Sequence, residues 1–168
     1  MKLSNFLSNN KSDRIFIFQS SVRLNVKQLK FINDALKNGF FPKWASHSKK
    51  LNPELLLLCN HFIVISSCED RISGCSMDSL SREMKKIASD LCIELFDRMN
   101  IATCVMTNNQ IKSVDELNTM HIDIVKYRYL INNYDNTKKN LFVFDNTITN
   151  AEDNWIIPFK QWFLKNKS

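Results

Sequence analysis

A chain of 168 residues that is 44% hydrophobic and carries 12 phenylalanines has enough apolar side chain to bury a core, which excludes a disordered protein. Its net charge is +6, yet Asn, Lys and Ile supply 53 residues, the bias of an AT-rich genome, so net charge alone does not point to nucleic acid. The longest apolar stretch, Leu55 to Ile65, spans 11 residues and contains Asn60 and His61, too short and too polar to cross a bilayer.

Met1 to Asp13 is polar and reads as a frayed start without the uninterrupted apolar segment of a signal peptide. Arg14-Ile15-Phe16-Ile17-Phe18-Gln19-Ser20 is apolar on both faces and predicts a central strand. Asn25 and Gln28 have the spacing of a capping box. Leu29, Ile32, Leu36 and Phe40 then follow on one helical face, with Gly39 placed to help close that helix. Glu54 to Cys59 and Phe62 to Ser66 predict two strands of a hairpin around Asn60-His61. A second helix is expected from about Met77 to Phe96, where Leu80, Met84, Ile87, Leu91 and Leu95 recur at helical spacing. Thr103 to Thr107 predicts a fourth strand, in a hairpin through Asn108-Asn109 with Ile111 to Val114. Beyond it come a helix near Ile122 to Ile131, a strand at Leu141-Phe142-Val143-Phe144, and the segment Trp155 to Phe159 leading to Trp162-Phe163.

That order is the ferredoxin-like split βαββαβ unit, with two helices on one face of a four-stranded antiparallel sheet. The fold expectation is therefore α+β: a core over 14–114 after a frayed 1–13, with 115–168 as a helix/strand extension covering the second sheet face. No internal repeat or low-complexity linker divides the chain. Residues 1–60 carry 10 basic and 3 acidic groups, net +7, whereas residues 61–120 carry 6 and 9, net −3; this asymmetry suggests one basic face. Five cysteines without a C-x-x-C pair, three of them on apolar runs, fit a reducing cytoplasm.

Ser73-Gly74-Cys75-Ser76-Met77-Asp78-Ser79 joins the buried strand to the second helix and holds one of only two glycines. A thiol at a helix start gains less than one pKa unit from the dipole, so nucleophilic use of Cys75 requires a partner: His47, Arg71 or Arg82. Cys75, His47 and Asp78 together would have the logic of a triad. The bland alternative is a capped turn, with Ser76 as the cap, Asp78 complementing the dipole, and Gly74 present for a positive φ or a close approach. Cys68, Cys75, His47 and His61 match no zinc spacing, and no metal or cofactor is expected. Phe40 to Lys50 interleaves aromatics with basic groups, as does Lys126-Tyr127-Arg128-Tyr129. Lys43, Trp44, His47, Lys49 and Lys50 are thus candidate RNA contacts, with Ser73, Gly74 and Ser76 as an anion cradle. Phe40 and Trp44 would serve equally as anchors of the first helix.

Trp44-x-x-His47, Ser73-Gly74-Cys75-Ser76-Met77-Asp78, Phe96-Asp97-Arg98, Val143-Phe144-Asp145-Asn146 and Trp155-x-x-Pro158, in that order, resemble a small cytoplasmic family of Bacteroidetes. Its uncharacterised members often carry the label "ABC transporter ATPase". The resemblance covers roughly Arg14 to Trp162 and implies a lineage and a single-domain body, not an activity. A Walker A loop needs G-x-x-x-x-G-K-[ST], and Gly39 and Gly74, 35 positions apart, do not supply it; P-loop ATP hydrolysis is excluded. The sequence points to a cytoplasmic housekeeping protein, a non-catalytic binding module for RNA, the ribosome or a protein partner, with no membrane role. A thiol-dependent enzyme using Cys75 is the alternative.

Overall fold

The computed structural model describes residues 1–8, 14–67, 72–107, 111–133 and 140–167. Its strands are β1 (Arg14–Gln19), β2 (Ala45–Ser46), β3 (Lys49–Lys50), β4 (Pro53–Leu58), β5 (Phe62–Ser67), β6 (Asn100–Val105), β7 (Asp123–Lys126), β8 (Leu141–Phe144) and β9 (Ile156–Pro158). Its helices are α1 (Val26–Asp34), α2 (Gly74–Leu91), α3 (Val114–Asn118), α4 (Tyr127–Asn132) and α5 (Phe159–Asn166). The architecture is α+β, with antiparallel sheets ordered β1-β5-β4 and β7-β6-β8-β9 and a two-stranded ribbon β2-β3. Among the described residues no helix is long and apolar enough to cross a membrane.

The central strand is β5, buried at every position because it is covered on both faces, and not β1, which was expected to be central but lies at the sheet edge and is mostly half-buried. Strand side chains alternate, so Ile63 and Ile65 pack under α1 and α2, against Ile32, Leu36, Leu80, Met84 and Ile87. Phe62 and Val64 face the second sheet, against Ala102, Cys104, Phe142, Phe144 and Trp155. The β4–β5 turn places Cys59 and Asn60 at φ 54 each, and His61 N–H bonds to the Leu58 carbonyl at 3.1 Å. Two successive left-handed residues give a hairpin the twist of its strands.

The helices depart from expectation at their ends. Asn25 and Gln28 form the reciprocal capping box, but Gly39 does not close α1. The helix runs on through a wide π-turn at Ala35–Phe40 and a tight turn at Phe41–Lys43. There Pro42 lacks the donor to extend the ladder, and the backbone becomes extended at Trp44. α2 begins at Gly74, capped by Ser73 rather than Ser76, and ends where Cys92 takes the left-handed conformation.

The larger correction concerns the fourth strand. β6 does not pair with β1; it lies between β7 and β8, so the expected four-stranded ferredoxin-like sheet gives way to two sheets. Ile122 and Ile124 face one core cluster and Val125 and Tyr127 another, a period of two that makes 123–126 a strand where a helix was expected. Val114 opens α3 behind the Ser113 cap instead of closing a hairpin, and Asn108-Asn109 lie outside the described residues. Over residues 1–8 the expected fraying is also overturned. Leu3 is fully buried, the Met1 carbonyl accepts Trp155 N–H at 2.7 Å, and Ser4 N–H donates to the Ala151 carbonyl at 3.0 Å.

Candidate functional site

The motif at residues 73–78 is a joint between α2 and the β2-β3 ribbon. Ser73 Oγ accepts Ser76 N–H at 3.2 Å and lies 2.6 Å from Ser76 Oγ. Ser76 Oγ donates in turn to the Ala45 carbonyl at 2.6 Å. Ser73 N–H donates to Ser46 Oγ at 2.9 Å, and Trp44 Nε1–H to the Ser76 carbonyl at 2.9 Å. Two of the motifs singled out in the sequence therefore dock on each other, and the polar groups of Trp44, Ser73 and Ser76 are consumed in doing so. Gly74 has no positive φ, and a Cβ there would meet nothing within 4 Å, so neither reason expected for a glycine holds.

Trp44 is only 2% exposed, stacked at 23° on Phe41 and edge-on to Phe16. It is a core anchor without a free face for a base, which corrects its placement among the RNA contacts. Lys43, Lys49 and Lys50 are exposed, as is His47, which turns the β2-β3 ribbon at φ 49. Cys75 and Asp78 are exposed too. Among the described residues no hydrogen bond or ion pair links Cys75 with His47 or Asp78, so the triad is not assembled. Arg82 reaches Ser79 instead, and Arg71 and Cys68 lie outside the described residues. No group of three or more metal-ligating side chains gathers among the described residues. His61 is buried in the hairpin turn with Nδ1 3.0 Å from the Ser20 carbonyl oxygen, and burial pulls its pKa down.

A concave feature of the molecule lies elsewhere, along β1. A cleft of about 660 Å³ runs the full length of that strand, between α2 and the turn after it on one side and the end of β8 on the other. Volumes of roughly 300–1,000 Å³ are those of ligand sites. Phe96-Asp97-Arg98 and Phe144-Asp145-Asn146, distant in sequence, meet in its walls. Their polar atoms form fixed networks. Asn146 accepts Trp155 Nε1–H at 2.9 Å and donates to Gln19 Oε1 at 2.8 Å, and Gln19 Nε2 donates to the Asn100 carbonyl at 3.0 Å. Asp145, 4% exposed, takes Lys165 Nζ and Thr147 Oγ1, each at 2.6 Å. Asp97 accepts Met99 N–H and Lys126 Nζ, which together hold its carboxyl below the usual range.

Two features of the cleft remain open. Met77, Phe96 and Met99 are 36%, 38% and 47% exposed, and all three line it. The second is the edge of β1. Ser20 N–H bonds to the His61 carbonyl on the β5 side, and Ile15 N–H to the Thr149 carbonyl on the opposite side. In an antiparallel ladder these directions alternate, so Ile17 and Gln19 point their backbone groups away from β5, into the cleft. Among the described residues nothing bonds the Ile17 N–H or carbonyl.

Sequence reasoning missed Gln19, Met99 and the whole of this cleft. Phe96-Asp97-Arg98 and Val143 to Asn146 stood out as motifs, but they carry no chemistry until the fold brings them together. Compared with known proteins, the chain matches no family model, no curated protein and no solved structure, so its function is argued from this cleft.

Proposed function

We propose that this protein is a non-catalytic binding module that holds a segment of a protein partner in the cleft along β1. The observation that carries the reading is that Met77, Phe96 and Met99, large apolar side chains left in solvent, all line one concavity. Exposed apolar side chains gathered around a single cleft are what an interaction site offers. Flexible methionines suit a surface that adapts to a bound chain. Polar groups deeper in the cleft bond one another and shape the wall rather than wait for a substrate.

The two other readings have less support. RNA binding loses its central stacking residue with Trp44 in the core, and Tyr127 is committed to the Asn166 carbonyl at 2.9 Å and to Trp162. A thiol enzyme would need a base beside Cys75. The resemblance to the Bacteroidetes family belongs to the same proposal: two of its motifs line the cleft, which would be that family's ligand site. A cytoplasmic, housekeeping role is part of it as well.

The test is capture from a native lysate with wild-type protein, Phe96→Glu and the double variant Lys49→Glu/Lys50→Glu, each with and without ribonuclease. The expected result is a protein bound by wild type and by the lysine variant, insensitive to ribonuclease and lost with Phe96→Glu. Captured material that disappears with ribonuclease and with the lysine variant would establish the RNA reading instead.

A further inference from the structure

We infer that the cleft takes its partner by strand addition. A short extended segment, apolar in the middle and acidic at its ends, pairs with the outer edge of β1 at Ile17 and Gln19. This inference rests on the reading of the cleft as a site for a protein partner and specifies how that partner is held.

Backbone pairing is the first argument. A sheet edge offers alternate N–H and carbonyl groups to any extended chain, and folded proteins cover or blunt such edges unless they use them. The Arg14 end of β1 is covered, through its bridge to Asn150 and the Ile15 bond to Thr149. From Ile17 onwards the edge is open and faces the cleft. A segment of about three residues, at roughly 3.4 Å each, matches that length.

Side-chain chemistry is the second. An added strand would continue the alternation of β1, whose Phe16 and Phe18 face the α2 side and whose Ile15 and Ile17 face the second sheet. On the α2 side it would meet Met77 and Phe96, with Phe96 already edge-on to Phe18 at 5.7 Å. On the other it would meet Ile17 and the half-buried Ile148, beside Asn146 and Thr147. Apolar side chains are therefore available to the middle of the segment on each face, most of them on the α2 side.

Charge is the third. The two carboxylates of the cleft are matched, Asp97 by Lys126 and Asp145 by Lys165. The two guanidiniums that line it, Arg14 and Arg98, form no ion pair with a described residue. Arg14 begins β1, while Arg98 opens the turn before Asn100, whose carbonyl accepts Gln19 Nε2–H. Arg14 also lies over the Phe16 ring at 5.8 Å, and acidic flanks on the added segment would complement the two guanidiniums.

The experiment uses the full chain and the peptide Ac-Glu-Glu-Val-Ile-Val-Glu-Glu-NH2, with two backbone-methylated forms, one at the Ile nitrogen and one at both Val nitrogens. Only alternate N–H groups of an added strand face β1. One methylated form should therefore lose about tenfold or more in affinity while the other binds within about twofold of the parent. At saturation, amide exchange at Ile17 should slow by about tenfold or more. Replacing the four Glu residues with Lys should weaken binding by about fivefold or more at low salt, and the difference should shrink as salt is added. Equal effects of the two methylations, or unchanged exchange at Ile17, would overturn strand addition. If capture still depends on Phe96 while Ile17 is unaffected, the binding-module reading stands and this mode of binding falls.

Discussion

Cys59 and Cys104 lie inside the core, where burial disfavours the thiolate and pushes both thiols up to about 12; Cys104 adds to the effect on Cys59. Cys75 and Cys92 are exposed. Native-state alkylation with iodoacetamide at mildly alkaline pH should label Cys75 and Cys92 and spare Cys59 and Cys104, read by peptide mapping. Modification of either buried cysteine before denaturant is added would contradict the packing described. His61 offers a second test at this scale. Burial lowers its pKa from 6.5, outweighing the opposite pull of the Ser20 carbonyl. The folded state therefore holds it neutral while the unfolded chain takes up a proton more readily. The associated stability is present above about pH 6.5 and is lost as pH falls through the lowered folded value. His61→Asn keeps a donor for Ser20 without titrating. Urea unfolding of this variant should lose less stability between neutral and mildly acidic pH than wild type; identical pH slopes would exclude His61 as the cause.

At the start of α2, Ser73 is the N-cap and also donates its own N–H to Ser46. Ser73→Ala should cost about 1 kcal/mol through the lost cap alone. Gly74 is the first residue of the helix, with no positive φ and open space where a Cβ would sit. Gly74→Ala should accordingly stabilise by about 0.4–1 kcal/mol, because it restricts the unfolded chain without strain in the folded one. Denaturant midpoints for the two variants should move in opposite directions; a destabilising Gly74→Ala would mean the helix start is tighter than described. The sequence carried the stripe Leu80, Met84 and Ile87 clearly, since every member faces one cluster. It misplaced the ends, because three serines compete as caps and the choice falls to Ser73 only through Ser46 and Ala45, residues remote in the chain.

Across the whole molecule the two sheets are joined by aromatic packing: Phe62 stacks on Phe144 at 4.7 Å, and Trp155 stands edge-on to both, at 4.9 and 5.0 Å. Trp155 also holds Asn146, and through it Gln19 at the base of the cleft. Trp155→Ala should cost about 3–5 kcal/mol. Because one of the buried clusters is shared between the two sheets, unfolding of the wild type should give coincident transitions by circular dichroism and tryptophan fluorescence; separated transitions would show the sheets to be independent. By itself the sequence determined the features that repeat locally. These are the strands β1 and β5, of which only β5 is buried throughout, the hairpin at Asn60, the capping box at Asn25 and the apolar faces of α1 and α2, each written in periodicity or in a residue's backbone preference. Tertiary structure alone decided that β6 turns away from β1, that the motifs at 44–46 and 73–76 dock on each other, and that Phe96 to Arg98 meets Phe144 to Asn146 across a cleft. Strand pairing runs through backbone groups that are the same at every residue, so side-chain pattern marks a strand without choosing its neighbour. The open edge of β1 follows from that choice of neighbour.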